Sequence, residues 1–252
     1  MPMKILLVLL PILFTLPAFA QAPAPTPLEI AENRVINAWE ALESAQGVLN
    51  VAIQLEIEGI ALPVQGAGPF AYRNHRGKRL LRIDLDGNIS APAISPTGAL
   101  PVQFQGLFDG AVAHMMTNML FQTTVMRHKP KDEDLALGGD ALFKALHEDC
   151  EVRLLPDREV NGVPCYVFEA RVREPGDDPL EPVKWTLCLA KDSGLPLRAQ
   201  GFDHRGREIF RAFMTDVSLN PLLSLSRFEF VIPPGARVVE GDDFSQLIPL
   251  PR

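Results

Sequence analysis

The sequence predicts a mainly β, α+β protein in which one long antiparallel sheet carries helices on one face. Three observations lead to this fold class. Residues 48–58 alternate apolar and polar side chains with a period of two, which is typical of a strand with one buried face. Turn-forming residues recur about every eight to twelve positions in the second half of the chain, which indicates many short strands. Two segments have helical features, and their apolar sides need a sheet to cover.

The first 20 residues have the features of a cleavable signal peptide. Lys4 supplies a positive charge, residues 5–16 form an apolar run, and Ala18-Phe19-Ala20 matches the small-residue cleavage site. An N-terminal membrane anchor is the alternative, but a bilayer span takes about 20 apolar residues and this run is shorter. We therefore expect export to the periplasm, cleavage after Ala20, and a Pro/Ala tether over residues 21–27.

A helix is predicted directly after the tether. Thr26 is suited to be its N-cap, Pro27 its first residue and Glu29 the capping-box partner, and Gly47 ends it. Its apolar stripe consists of Leu28, Ala31, Val35, Ala38, Leu42 and Ala45.

The remaining chain is predicted to form short strands separated by tight turns. The predicted strands lie at residues 70–84 (a hairpin), 102–109, 112 onward, 121–127, 151–160, 163–172, 183–190, 196–202, 208–218 and 227–232. Asp109-Gly110 is a strong hairpin signal, and Asp140 is a candidate N-cap for a second, short helix. Residues 28–240 are predicted to be one domain, followed by an extended polar, Pro-rich tail over residues 241–252.

Composition and motifs argue against several classes of function. The formal net charge of −7 and the pI near 5.3 argue against nucleic-acid binding. The sequence contains neither GxSxG nor HExxH, so we expect no enzyme activity, no metal and no cofactor. One cluster could ligate Cu(I) or, as alternating methionines more commonly do, fill an apolar lining. It consists of His114, Met115, Met116, Met119, Met126 and His128.

Three stretches resemble the LolA-like superfamily of bacterial envelope proteins. They are residues 108–110 (FDG), residues 185–198 (beginning WTL and ending DSGLPLR) and residues 228–236 (FEFVIPPGA). The superfamily includes lipoprotein carriers, RseB-like regulators and uncharacterised exported families. The resemblance implies an unclosed β-barrel whose apolar concave face is capped by helices and, in several members, holds acyl chains.

The resemblance leads to a functional expectation. We expect a monomeric, exported binding protein, carrier or sensor, that holds a lipid or lipoprotein by its acyl chains. The alternative is an RseB-like regulatory module that binds an envelope membrane protein. The candidate cavity-lining residues are Met115, Met119, Phe121, Phe168, Trp185 and Leu187. Trp185 could instead be core beneath a helix.

An arginine on an early strand helps to gate the cavity of the lipoprotein carriers. The first predicted strand here contains no arginine, so Arg79 and Arg82 on the following hairpin are gating candidates by position only.

A disulfide is predicted from strand register. If residues 163–172 and 183–190 pair so that Phe168 faces Trp185, then Cys165 lies opposite Cys188 on the other face. An exported protein can form such a bond, which leaves Cys150 free. The alternative is three buried thiols.

Overall fold

In a computed structural model, the structure describes residues 24–57, 60–90, 98–129, 138–176 and 181–241. The expected signal peptide, residues 21–23 of the tether and all but the first residue of the tail lie outside these residues. The described residues form two α-helices, α1 (Pro27–Ala41) and α2 (Gly139–Asp149). They also form twelve strands: β1 (Ser44–Ile57), β2 (Ile60–His75), β3 (Lys78–Ser90), β4 (Ala99–Phe108), β5 (Ala113–Met119), β6 (Gln122–His128), β7 (Cys150–Val160), β8 (Val163–Val172), β9 (Lys184–Ala190), β10 (Pro196–Phe202), β11 (Glu208–Leu219) and β12 (Arg237–Glu240).

All twelve strands belong to one curved sheet. The strand order is β12-β6-β5-β4-β3-β2-β1-β11-β10-β9-β8-β7. The β12–β6 pair is parallel, and the other neighbours are antiparallel. Because β12 and β7 are edges that do not pair with each other, the sheet stays unclosed. The predicted fold class is therefore confirmed.

Helix α1 begins as the sequence predicts and ends earlier. The Glu29 backbone N–H donates to Thr26 Oγ1 at 3.2 Å, and the Thr26 N–H donates to the Glu29 carboxylate at 2.6 Å, which completes a capping box. The helix ends at Ala41 because Ser44 and Ala45 already belong to β1. The predicted extension of the helix through Ala45 is wrong, because sheet pairing takes those residues.

The two helices cover one part of the concave face, over β7, β8 and β9. Val35 from α1 and Phe143 from α2 are buried there against Phe168, whose ring lies 5.0 Å from that of Phe143. Gly194, in the turn between β9 and β10, lies against the α1 backbone. A Cβ at Gly194 would sit 2.6 Å from the Val35 carbonyl oxygen, and its φ of +69° favours glycine. The conformation of the DSGLPLR stretch is therefore tied to helix packing.

The C-terminal segment, residues 220–241, forms a strap across the convex face of the sheet. Its 3-10 helix (Leu225–Phe228) buries Phe228 against Ala71 and Leu80, and Phe230 stacks on His114 at 4.7 Å. The strap then joins β6 as β12. The strand predicted at residues 227–232 is wrong, because this segment packs on the sheet through side chains rather than by pairing with it.

The pairing of β8 with β9 is shifted by two positions from the predicted register. Cys165 faces Ala190, and Cys188 faces Val167. The predicted Cys165–Cys188 disulfide is not formed, and Cys150, Cys165 and Cys188 are free, buried thiols. Burial raises the pKa of Cys165 to about 11 and also raises that of Cys188.

Candidate ligand cavity

The concave face is apolar because strand alternation places one set of side chains on it. Val51 of β1 lies opposite Ala212 of β11 and opposite Gly66 of β2, so all three share this face. One position along β1, Asn50 has its side chain on the convex face. The neighbouring convex positions on β3 and β4 are Asp86 and Gln103, which are polar. Around these positions of β1 to β4, the sheet is therefore apolar on its concave face and polar on its convex face.

The part of the concave face that the helices leave uncovered holds a cavity of about 520 Å³. Strands β1 to β5 and β11 form it. Its lining residues are Leu49, Val51, Ile53, Val64, Gln65, Gly66, Ile83, Leu85, Gly87, Ile89, Val102, Phe104, Thr117, Met119, Phe210 and Ala212. None of these residues is charged, and Gln65 and Thr117 are the polar members. Such a surface suits hydrocarbon, because apolar burial is favourable and an unpaired polar group would be desolvated there.

Glycines make room on the floor of this cavity. Gly66 and Gly87 face each other across β2 and β3. A Cβ at Gly87 would lie 2.4 Å from the Gln65 carbonyl oxygen, so the two strands approach too closely there for a side chain. At Gly66 the nearest atom would be 3.5 Å away, an ordinary contact distance. Gly66 therefore leaves open space that a side chain could fill.

The structure brings one of the predicted lining residues into the cavity. Met119 lines it at the end of β5. Met115 lies on the same face, opposite Gly106 and Met126, but outside the cavity lining. Phe121 is fully exposed in the turn after β5, so the expectation that it lines the cavity is wrong.

The other three predicted lining residues lie beside or beneath the helices. Phe168 is fully buried in the core, and Leu187 packs in the same cluster. They do not reach the open cavity because α1 and α2 cover β8 and β9. Trp185 is half-buried, and its ring meets that of Phe210 edge-on at 5.3 Å. Phe210 lines the cavity, so Trp185 packs against one residue of the cavity wall from the side of the helices.

Trp185 and Leu187 also line a second groove, of about 990 Å³, beside α2. Its lining includes five charged residues: Glu148, Asp149, Arg173, Glu174 and Glu181. This mixed lining is less suited to a hydrocarbon chain than that of the uncovered cavity.

The two gating candidates lie away from the uncovered cavity. Arg82 is on the convex face, where its Nε donates to Asp84 at 2.7 Å and its Nη1 donates to the Arg227 carbonyl oxygen of the strap at 3.0 Å. It therefore holds the strap rather than facing the cavity. Arg79 is half-buried and pairs across the hairpin with Asn74, at the end of β3 away from the cavity.

The sequence patterns did not identify most of the residues of the cavity wall. Val51 and Ile53 alternate with polar residues with a period of two, and this pattern indicates that they lie on the buried face of a strand. Phe104 alternates with polar neighbours, Gln103 and Gln105, in the same way. What the pattern could not indicate is which stretch of the apolar face the helices leave uncovered.

Neither α1 nor α2 has the length and apolar character needed to cross a bilayer. Among the described residues, no group of three or more His, Cys, Asp or Glu side chains is placed to hold a metal ion.

No protein-family model matches the chain, and no curated protein matches it. Solved structures do. MucB is 17% identical with a TM-score of 0.39 over 81% of this chain, which spans 66% of the MucB chain. An uncharacterized conserved protein from Thermus thermophilus is 11% identical with a TM-score of 0.46, over 86% of this chain and 100% of that one. The lipoprotein LppX of Mycobacterium tuberculosis is 12% identical with a TM-score of 0.39, over 76% of this chain and 94% of LppX.

Similarity at these identities concerns the fold alone and assigns neither ligand nor partner to this chain.

Proposed function

We propose that this protein is an exported, non-enzymatic binding protein that holds the acyl chain of a lipid or lipoprotein in its uncovered cavity. The observation that supports the proposal is the cavity itself, which is apolar, has no charged lining residue and is left uncovered by the two helices. Its volume of about 520 Å³ falls in the range of small-ligand pockets, about 300–1,000 Å³.

Burial of the chain supplies the binding energy. Each methylene removed from water contributes about 0.8 kcal/mol, so about ten buried methylenes contribute about 8 kcal/mol before the cost of association. Because association itself costs several kcal/mol, a net gain of about 8 kcal/mol, which corresponds to a dissociation constant of about 1 μM, requires burial of more than about ten methylenes. No directional contact is needed within the lining, so recognition of the head group falls to residues outside it.

A chain-length series of fatty acids tests the proposal. Each added methylene is expected to tighten binding about fourfold until the chain outgrows the cavity, after which the affinity levels off. Affinity that is independent of chain length would contradict burial of the chain.

A pair of variants on β1 locates the site. Val51→Asp places a carboxylate in the cavity, where an unpaired charge costs several kcal/mol, and is expected to abolish fatty-acid binding. Asn50→Asp places the same group on the convex face and is expected to bind normally. Equal binding by the two variants would exclude the concave face of β1 as the site.

A second candidate function is a regulatory module that binds a membrane partner protein. The observation that favours it is the exposure of Leu222 and Val231 on the strap, two large apolar side chains that a bound partner would remove from water. If this function holds, the double variant Leu222→Ser and Val231→Ser loses a partner that co-purifies with the wild type, while fatty-acid binding is unchanged. A partner retained by the double variant would contradict it.

A further inference from the structure

The groove of about 990 Å³ beside α2 lies on the same face of the sheet as the uncovered cavity, and we call it the acidic groove. Trp185 and Leu187 of β9 give it an apolar floor, and the C-terminal half of α2 forms one wall. The other described lining residues are Leu142, Ala145, Leu146, Glu148, Asp149, Cys150, Val172, Arg173, Glu174, Glu181 and Pro182. The acidic groove therefore combines apolar surface with charged groups, whereas the uncovered cavity is lined without charge.

The charges of the acidic groove favour a cation. Four of its described lining residues are carboxylates and one, Arg173, is a cation, so the described lining has a formal net charge of −3. The carboxylates are those of Glu148, Asp149, Glu174 and Glu181, and all four residues are exposed. Within the described part of the chain, none of them forms a salt bridge with a lysine, an arginine or a histidine. These carboxylates are therefore available to an incoming positive charge.

The one described cation of the lining is directed at the end of α2. Arg173 Nη1 donates to the carbonyl oxygens of His147 and Glu148, at 2.8 and 2.9 Å. These carbonyls belong to the last turn of α2, where a helix leaves its carbonyl oxygens without helical partners and carries partial negative charge. The guanidinium group therefore satisfies the helix end and does not pair with the groove carboxylates.

Trp185 connects the acidic groove to the uncovered cavity. One row of paired residues crosses four neighbouring strands: Trp185 of β9, Gly201 of β10, Phe210 of β11 and Ile53 of β1. Trp185 lines the groove, while Phe210 and Ile53 line the cavity. Gly201 leaves room for the indole ring between them, because a Cβ there would lie 3.1 Å from Trp185 Cζ3. Since neighbouring strands lie about 4.8 Å apart, the groove floor is roughly 10 Å from the nearest cavity wall.

We infer that the acidic groove binds a cationic head group, an ammonium or a guanidinium group, on the same ligand whose acyl chain occupies the uncovered cavity. The carboxylates supply the complementary charge, and the Trp185 ring offers an aromatic surface of the kind that attracts organic cations. Because the carboxylates are exposed, the head group stays partly hydrated, so the attraction is modest and is screened by salt. This inference rests on the proposed function and specifies the ligand as an amphiphile with a positive head group.

Titration with three amphiphiles of one chain length tests the inference. Dodecylamine, dodecanol and dodecanoate carry a positive, a neutral and a negative head group at neutral pH. The wild type is expected to bind dodecylamine about fivefold more tightly than dodecanol, and dodecanoate least tightly. The preference for the amine is expected to shrink at high salt, while the affinity for dodecanol changes little.

A pair of double variants assigns the preference to the groove. Glu174→Gln with Glu181→Gln removes two groove carboxylates at nearly constant side-chain size, and is expected to lower the affinity for dodecylamine about fivefold without changing that for dodecanol. Glu40→Gln with Glu43→Gln is the matched control, because it removes the same net charge from exposed residues that line neither the groove nor the cavity. The control is expected to bind all three amphiphiles like the wild type.

The outcomes separate this inference from the proposed function. Normal binding of dodecanol without a preference for the amine would overturn the inference and leave the proposed function standing. An equal loss of dodecylamine affinity in both double variants would also overturn it, because net charge rather than the groove would then set the preference. Ethanolamine bound as tightly as dodecylamine would overturn the link between head group and chain. A wild type that binds none of the three amphiphiles would contradict the proposed function, and the inference with it.

Discussion

Replacing Gly66 by leucine tests whether the space in the sheet is a ligand site or loose packing. A Cβ at Gly66 would have Asp86 O at 3.5 Å and Leu85 Cβ at 3.8 Å as neighbours, so the side chain can enter the cavity without displacing the backbone. Its four carbons occupy space that about four carbons of an acyl chain would otherwise fill. At about 0.8 kcal/mol per methylene this costs the ligand about 3 kcal/mol, or about a hundredfold in dissociation constant.

The same substitution is expected to stabilise the empty protein. Glycine in a strand costs roughly 0.5–1 kcal/mol relative to alanine, and the new side chain fills apolar space. Gly66→Leu should therefore raise the free energy of unfolding by about 1 kcal/mol while it weakens binding. Opposite signs for stability and binding are the signature of a cavity kept open for a ligand.

Fatty-acid titration and thermal unfolding of three proteins make the assay: wild type, Gly66→Leu and Ala67→Leu. Ala67 is the next residue of β2 and is exposed on the convex face, so leucine there should leave binding unchanged. The preferred chain length should also shorten in Gly66→Leu alone. Wild-type affinity in a folded Gly66→Leu protein would refute the assignment of this cavity as the site.

Three further predictions concern the frame around the cavity. Gly194→Ala should destabilise the fold by about 2 kcal/mol or more, because the new Cβ would clash with the α1 backbone and because alanine disfavours a left-handed φ. A thermal midpoint equal to that of the wild type would contradict this contact. All three cysteines should resist alkylation in the native protein and react after unfolding, because all three are buried and burial raises the pKa of both Cys165 and Cys188. A linked Cys165–Cys188 peptide from the envelope protein would contradict this. Burial raises the pKa of Glu32 above 4.5 despite its hydrogen bond to His147 at 2.9 Å. As the pH rises, the Glu32 carboxyl therefore keeps its proton to a higher pH in the native state than in the unfolded state. As pH rises from 4.5 through the folded pKa of Glu32, the thermal midpoint of the wild type should therefore fall relative to that of Glu32→Gln, and a constant difference would refute the shift.

The fold was largely predictable because its signals are local. The capping box at Thr26 and the Asp109-Gly110 turn each specify an element from a few neighbouring residues, and both are confirmed. The period-two pattern around Val51 likewise identified a strand with one apolar face.

Strand register was not predictable in the same way. Side chains alternate with a period of two, so a shift of two residues keeps every apolar side chain on its face. Matching the faces of β8 and β9 therefore could not distinguish Cys165 opposite Cys188 from Cys165 opposite Ala190. The same logic correctly placed both cysteines on one face.

The errors at the candidate site have a tertiary origin. Phe121 was assigned to a strand because Leu120-Phe121 carries no turn-forming residue, and the neighbouring strands impose the turn. Phe168 has the right face but lies under the helices, and helix position depends on contacts distant in sequence, such as that of Gly194 with α1. The strap across the convex face likewise depends on long-range contacts, including Arg82 with Arg227.

The most direct test of the central claim is native mass spectrometry of the protein purified from its own envelope, before and after lipid extraction. We expect an additional mass that is removed by extraction, that is identified as an acyl-bearing molecule, and that is absent from Val51→Asp but present on Asn50→Asp. A wild-type mass equal to that of the polypeptide alone, together with no binding of added fatty acids, would contradict the claim that the cavity holds an acyl chain.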